Sequence, residues 1–218
     1  MSESVEFTVV RHGETEGNLA CLFQGHSDSP LSRRGLQQAM AVAERLRDEK
    51  FAAAYSSDLG RARDTARLIA AYHQDLEVHV DPALREWHVG ELESRPQREL
   101  LREKQEMMLA FRYELETVCA PGGESRQDFQ TRVESFMALL VHRHPGQRVL
   151  LVTHTGVLQR LLRMVVGPTG RGNMLSHPDN ASINILKYHY PAGEWQLVSW
   201  NCQEHLRRIG KHDTLLLD

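Results

Sequence analysis

The strongest constraint on the fold is a repeated pairing, in which a short apolar, β-branched run stops at a charged, glycine-containing loop. Val5-Glu-Phe-Thr-Val-Val10 runs into Arg11-His12-Gly13, and Arg148-Val-Leu-Leu-Val-Thr153 runs into His154-Thr155-Gly156. Runs this short and this apolar read as buried strands. Residues 51–56 and 77–80 are two further candidates, and 182–190 with 195–201 read as a late hairpin turned by Pro191-Ala-Gly193. Helical patterns lie between them. Leu36, Ala39, Ala43 and Leu46 repeat at helical spacing after Leu31-Ser32; Phe129, Val133, Phe136 and Leu140 do so after Ser125, with Asp128 three residues on as a capping-box-like start. Residues 60–72 and 157–166 complete the set. The alternation predicts an α/β fold: a mainly parallel central sheet flanked by helices on both faces.

Residues 91–120 break this rhythm. The stretch is highly charged, its apolar residues Leu101, Met108, Phe111 and Leu115 have helical spacing, and it ends at Pro121-Gly122-Gly123. It reads as a helical insertion over one edge of the sheet, where a lid or a plain structural excursion would sit. A chain of 218 residues has room for one ordinary core, so residues 1–218 are expected to form a single domain.

Composition narrows the function classes. With 41% hydrophobic and 25% charged residues the chain is globular in profile. Its longest uninterrupted apolar run, 136–141, is far short of the roughly 20 residues a membrane span needs. The acidic start Met1-Ser2-Glu3 has no apolar signal region, and Cys21, Cys119 and Cys202 are odd in number and widely spaced, so a reducing cytoplasm is the expectation. A net charge of −3 without Lys/Arg-rich runs gives no pull on nucleic acid. Positive charge is carried by 22 Arg against 4 Lys. Arg matches carboxylate and phosphate oxygens with a fixed fork of donors, but composition alone does not make an anion site.

Position does more. In open α/β sheets ligands bind beyond the carboxyl ends of the strands. Those ends carry Arg11-His12, then Arg61 after Ser57-Asp58-Leu59-Gly60, then Glu86 after Leu84-Arg85, and His154. Each has an ordinary reading: a satisfied polar His, an Arg61–Asp58 pair one helical turn apart, a loop acid, a helix-capping His154. Four strand ends offering this set together suit a phosphomonoester. Arg11 and Arg61 can clamp phosphoryl oxygens. A neutral His12 can attack phosphorus and divide the displacement into two steps through a phosphohistidine. His154, if cationic, can donate to a phosphate oxygen, and Glu86, if it starts protonated, can protonate the leaving alkoxide and then activate water.

Arg11-His12-Gly13-Glu14-Thr15 with Asn18 resembles the signature of the histidine phosphatase superfamily, the phosphoglycerate mutase-like enzymes. The likeness continues in order through Gln24-Gly25, Asp28-Ser29-Pro30-Leu31-Ser32, Ser57-Asp58-Leu59 with Arg61-Ala62, Leu84-Arg85-Glu86 with Gly90, Pro121-Gly122-Gly123-Glu124-Ser125 and Val152-Thr153-His154. The resemblance implies that His12 is the phosphorylated nucleophile, Glu86 the proton donor, and Arg11, Arg61 and His154 the phosphate pocket. It further implies phosphate contacts from Asn18 and the backbone at Thr155, with Gln24 and Gly25 bordering the substrate, and catalysis without a metal or other cofactor. The implied fold is the phosphoglycerate mutase-like α/β sheet with an inserted lid. Two positions depart from the pattern: Thr155 stands where many members have Gly and is expected to narrow the pocket, and Gly17 stands where an aromatic residue is frequent.

The same site can return the phosphoryl group to a bound acceptor or release it to water. The dedicated glycolytic mutases of the resembled family carry a longer basic insertion and an extended tail. Here Glu86 is followed by Trp87-His88-Val89-Gly90-Glu91-Leu92-Glu93, and little chain follows His205. The expectation is therefore a phosphatase acting on a small phosphorylated metabolite, with a mutase as the alternative and a silent interaction module on the same fold as a distant one. Arg95, Arg98 and Arg102 could grip a second anion or form a solvated face with Glu99, Glu103 and Glu106. Trp87 and His88 could shape the leaving-group pocket. His142 and His144 are the only close His pair, too few for a zinc site.

Overall fold

The computed structural model describes residues 4–112, 119–167 and 177–209. Along the chain these form β1 (Ser4–Arg11), α1 (Glu16–Leu19), β2 (Leu22–Phe23), α2 (Arg33–Leu46), β3 (Ala53–Ser56), α3 (Gly60–Ala70), β4 (Val78–Val80), β5 (Arg95–Pro96), α4 (Gln97–Glu103), α5 (Gln105–Arg112), α6 (Arg126–Arg143), β6 (Arg148–Thr153), α7 (Thr155–Val166), β7 (Ile183–His189) and β8 (Glu194–Cys202). Six strands make one sheet in the order β4-β3-β6-β1-β7-β8. The first four are parallel, and the β7–β8 hairpin adds an antiparallel edge beside β1.

Alternating side chains send opposite faces of each strand into different cores. Phe7, Val9, Val149 and Leu151 pack beneath α6 and α7 against Phe129, Met137, Leu158 and Leu161. Val10, Leu150 and Val152 pack on the other face against Val42, Ala43, Ala62 and Ile69 of α2 and α3. The result is the expected three-layer α/β arrangement. Two helix starts follow the sequence signals: Ser32 caps α2 by accepting from the Gly35 N–H, and Ser125 caps α6 by accepting from the Asp128 N–H.

Two apolar assignments differ from the helical spacing. Leu36 is 46% exposed, and α2 buries Gly35, Gln38, Ala39, Val42, Ala43 and Leu46 instead. Ala39, Ala43 and Leu46 are buried as their spacing predicts, and in the first turn the inward position belongs to Gly35, which lies against the backbone of Glu14. In the insertion Leu100, not Leu101, is the buried residue, joining Val89, Leu92 and Ala120 in a small separate core with Phe23, Met107 and Met108 against it. The side chain of Phe111, and Leu115, lie outside the described residues. The sequence reading also lacked the two-residue pairing of β2 with β5, which ties the insertion to the loop after α1.

Candidate active site

The β1 and β6 ends lie side by side because the strands pair in parallel, from Glu6 opposite Arg148 to Arg11 opposite Thr153. His12 N–H then donates to Thr153 O at 3.0 Å, which fixes the two histidine-bearing ends together. The His12 and His154 ring centroids are 5.1 Å apart. The turn after His12 is locked by backbone contact. A Cβ on Gly35 would stand 1.8 Å from Glu14 O, and one on Gly13 would stand 2.5 Å from Gly35 O, so neither position has room for a side chain. Glu14 itself is buried, accepting from Ser32 Oγ at 2.7 Å and Arg34 at 2.9 Å. That signature carboxylate is a pin between the β1 end and α2.

His12 is 3% exposed, with Nδ1 2.8 Å from Gly13 O. A carbonyl oxygen only accepts, so Nδ1 carries the proton and the lone pair is on Nε2. Burial, then Arg61, then Arg11 hold His12 well below the ordinary histidine range, so the ring is neutral at pH 7. His154 is fully buried at the N-cap of α7, but its side chain does not cap. Its Nδ1 accepts from Arg61 Nε at 3.3 Å, and its Nε2 is 2.8 Å from Ser57 Oγ. Burial and the neighbouring Arg61 push its pKa down as well. The cationic His154 anticipated from sequence is thus a neutral ring in this arrangement, its tautomer set by an arginine on one side and a serine on the other.

Arg61 is 1% exposed. It donates to Ser27 O at 2.7 Å, Gly25 O at 2.8 Å and Asp28 Oδ1 at 3.3 Å. Asp28 also accepts from the backbone of Gly60 and Arg61, closing the start of α3 where Leu59 offers no cap. The ordinary alternative, an Arg61–Asp58 pair, does not form: Asp58 takes a two-pronged bond from Arg85 at 2.7 and 2.5 Å. Arg11 donates to Pro178 O at 2.7 Å, while its buried Nε has no protein partner. Burial lowers its pKa to about 10, opposed by Glu86 and Asp179.

Glu86 reaches this cluster from a turn between β4 and the insertion. Both its carboxylate oxygens lie near the Gly156 N–H, at 3.0 and 3.1 Å, and the Trp87 N–H donates to one of them at 2.9 Å. The Glu86 carboxyl therefore sits against the first turn of α7, beside Thr155.

The outer residues divide. Asn18 Oδ1 is taken up by the Thr15 backbone and hydroxyl in the cap of α1, with Asn180 Nδ2 at 3.3 Å. Gln24 Oε1 accepts from Thr15 Oγ1 and Ser29 Oγ. Gly25 has φ +54°, and a Cβ there would meet Glu93 and Val89. At Gly17 a Cβ would come within 2.8 Å of the Gln24 side chain and 2.9 Å of Ser29 Oγ. Trp87 stacks on Phe129 at 5.5 Å and donates its indole N–H to Glu124 O, so it serves the core. His88 packs edge-on against His26 at 4.4 Å, and His26 Nε2–H donates to Glu86 O at 2.9 Å. Arg95 pairs with Glu103, and Arg98 and Arg102 are exposed. His144 bonds Tyr55 and Gln147, and among the described residues no three His, Cys, Asp or Glu side chains are grouped to hold a metal ion.

Ser57, Asp28, Asn180 and Arg132 were not singled out in the sequence. Ser57 and Asp28 lie inside quoted motifs, whereas Asn180 and Arg132 act on segments 46 residues or more away and leave no local signal.

Comparison with known proteins agrees with this geometry. The profile of the histidine phosphatase superfamily (branch 1) matches residues 7–203. The metal-independent phosphoserine phosphatase of Arabidopsis thaliana is 38% identical over 211 residues, 96% of this chain and 86% of that protein. Among solved structures, mycobacterial glucosyl-3-phosphoglycerate phosphatase superposes with a TM-score of 0.82 at 31% identity, covering 92% of this chain and 100% of that one. A phosphoglycerate mutase from Bacillus anthracis superposes with a TM-score of 0.83 at 25% identity, covering 95% and 97%. Strand-end residues, sheet order and these likenesses converge: the chain belongs to the histidine phosphatase superfamily, with the phosphoglycerate mutase-like fold, as an enzyme acting on phosphomonoesters.

Proposed function

We propose that the protein hydrolyses the phosphomonoester of a small metabolite through a phosphohistidine on His12. The observation that carries this reading is the buried, neutral His12, with Nδ1–H held by Gly13 O and with buried Arg61 and part-buried Arg11 beside it. Nε2 attacks phosphorus in line; the P–N bond forms as the P–O ester bond breaks, and the leaving alkoxide takes a proton from Glu86. Arg11 and Arg61 hold the charge on the transferring oxygens, with Asn18, the backbone at Thr155 and neutral His154 completing the phosphoryl pocket. Glu86, now a carboxylate, takes a proton from water; the oxygen bonds to phosphorus, the P–N bond breaks and neutral His12 returns.

Hydrolysis is favoured over phosphoryl return by the surroundings of Glu86. Gln24, Gly25, His26 and His88 border the site, and the insertion's Arg95 is engaged by Glu103. A bisphosphate intermediate would need a second cation cluster there, and among the described residues the arginines acting on His12 and His154 are Arg11 and Arg61. Residues 91–120 form the lid of the single domain in this reading. Among the described residues no helix is long and apolar enough to cross a membrane, in keeping with a water-borne substrate.

Rapid quench with a ³²P-labelled phosphomonoester tests the proposal. The expected result is an acid-labile, base-stable protein phosphate that His12→Ala lacks along with all turnover, and phosphate release without interconversion of 2- and 3-phosphoglycerate. Turnover surviving His12→Ala would remove the mechanism, and bisphosphate-stimulated interconversion would make the protein a mutase.

A further inference from the structure

Glu86 is held in place from behind. The turn that carries it, residues 82–86, presents five successive backbone carbonyls, and buried carbonyls need partners. Arg132 of α6 donates through Nη1 to Ala83 O at 2.9 Å and Arg85 O at 3.1 Å, with Pro82 O sharing that nitrogen at 3.4 Å, and through Nη2 to Glu86 O at 3.3 Å. The fifth, Leu84 O, accepts from Thr153 Oγ1 at 2.7 Å. Glu86 O also accepts from His26 Nε2–H at 2.9 Å and Pro82 O from the Arg85 N–H at 3.1 Å, so among the described residues Arg132 is the one side chain that reaches most of the turn. Arg132 is oriented in turn by Glu124, which takes Nη2–H at 2.5 Å and Nε–H at 3.3 Å, and by the Phe129 ring 5.1 Å beneath its guanidinium. Glu124 also accepts from the His88 N–H, so the same pair fixes the chain on the far side of Glu86.

We infer that Arg132, clamped by Glu124, is a positioning residue for Glu86, setting where its carboxyl meets the leaving-group oxygen. Only a planar, multi-donor head can span four carbonyls and a carboxylate at once, so lysine is not an equivalent. Among the described residues the hydrogen bonds of Arg132 go to this turn and to Glu124, not to Arg11, Arg61 or His12, so its loss falls on proton delivery and not on phosphate binding. The inference rests on the reading of Glu86 as the acid that protonates the leaving group.

The test compares kcat/KM for β-glycerophosphate, whose alkoxide needs a proton to leave, with kcat/KM for p-nitrophenyl phosphate, whose phenolate does not. The ratio on one sample is independent of the fraction of molecules folded. Glu86→Gln is expected to lower the alkyl substrate by about 10²–10⁴ and the aryl substrate far less. Arg132→Lys and Arg132→Met are expected to lower the alkyl/aryl ratio by about tenfold or more, Glu124→Gln by less, and Arg132→Lys to change the ratio no further in the Glu86→Gln background. Equal losses on both substrates in the Arg132 variants, with Glu86→Gln still selective, would reduce Arg132 to a structural residue. An unselective Glu86→Gln would overturn the acid assignment, and this inference with it.

Discussion

The phosphoryl pocket and the insertion are both rich in arginine, and they use it in opposite ways. Arg61 is buried and Arg11 partly buried; both donate to backbone carbonyls of distant segments and are flanked by two histidines that burial keeps neutral. Arg95 stands at the surface with one carboxylate partner, and Arg98 and Arg102 face solvent. A buried guanidinium is costly unless its surroundings are built for it, whereas exposed pairs form and break with little consequence. The same residue type is therefore machinery where the sheet gathers it and solvated surface where a short helix displays it.

The comparison can be broken most directly at Arg61. Arg61→Ala should cut kcat/KM on any phosphomonoester by about 10²–10³ or more, because it removes charge stabilisation and frees the loop carrying Gly25 and Ser27. A steady-state assay showing less than a tenfold loss would make Arg61 a loop fastener alone. Gly35→Ala tests the packing behind the pocket. With a Cβ 1.8 Å from Glu14 O, it should cost about 1–3 kcal/mol in a urea titration and disturb the His12 turn.

pH sharpens the contrast. His12 and His154 have lowered pKa values when folded, so between those values and 6.5 the unfolded chain binds more protons. Stability should then rise with pH up to about 7 and fall as pH drops below 6.5, with a slope of up to about 1.4 kcal/mol per pH unit for each ring. Melting at pH 5.5 against 7.5 reads this, and His154→Gln should flatten it. The smallest effect belongs to the insertion: Arg95→Ala and Arg102→Ala should alter kcat/KM by no more than about twofold. A large loss in either would bring the insertion's charges into substrate binding.

The fold was largely legible from residues 5–10 and 148–153, because fully buried parallel strands are written as continuous apolar runs that nothing else resembles at that length. Leu36 and Leu101 misled for a physical reason. Periodicity gives a helix its apolar stripe, but backbone contact at Gly35 and the small core around Leu100 decide which residue of a turn faces inward. His12, Arg11, Arg61, Glu86 and His154 could be picked out because strand ends are where open sheets place ligands, and the geometry gathers them. The neutral state of His154 was not legible, since it depends on burial and on Arg61, brought in from another strand end. Arg132 was invisible for the same cause: an arginine on a helix face reads as solvent-facing until its carbonyl partners, 46–50 residues earlier, arrive.

The pairing of β1 with β6 and β7 also bears on how the molecule comes into being. Val9 lies opposite Leu151 on one side and Asn184 on the other. The first strand made thus waits for partners synthesised more than 140 residues later, and at ordinary translation speeds that is a delay of about 10–30 s. Until then His12 has neither Thr153 nor Asn180 to hold it. Affinity for a phosphate analogue such as vanadate can therefore report the completion of chain folding during translation, since no earlier intermediate contains both halves of the pocket.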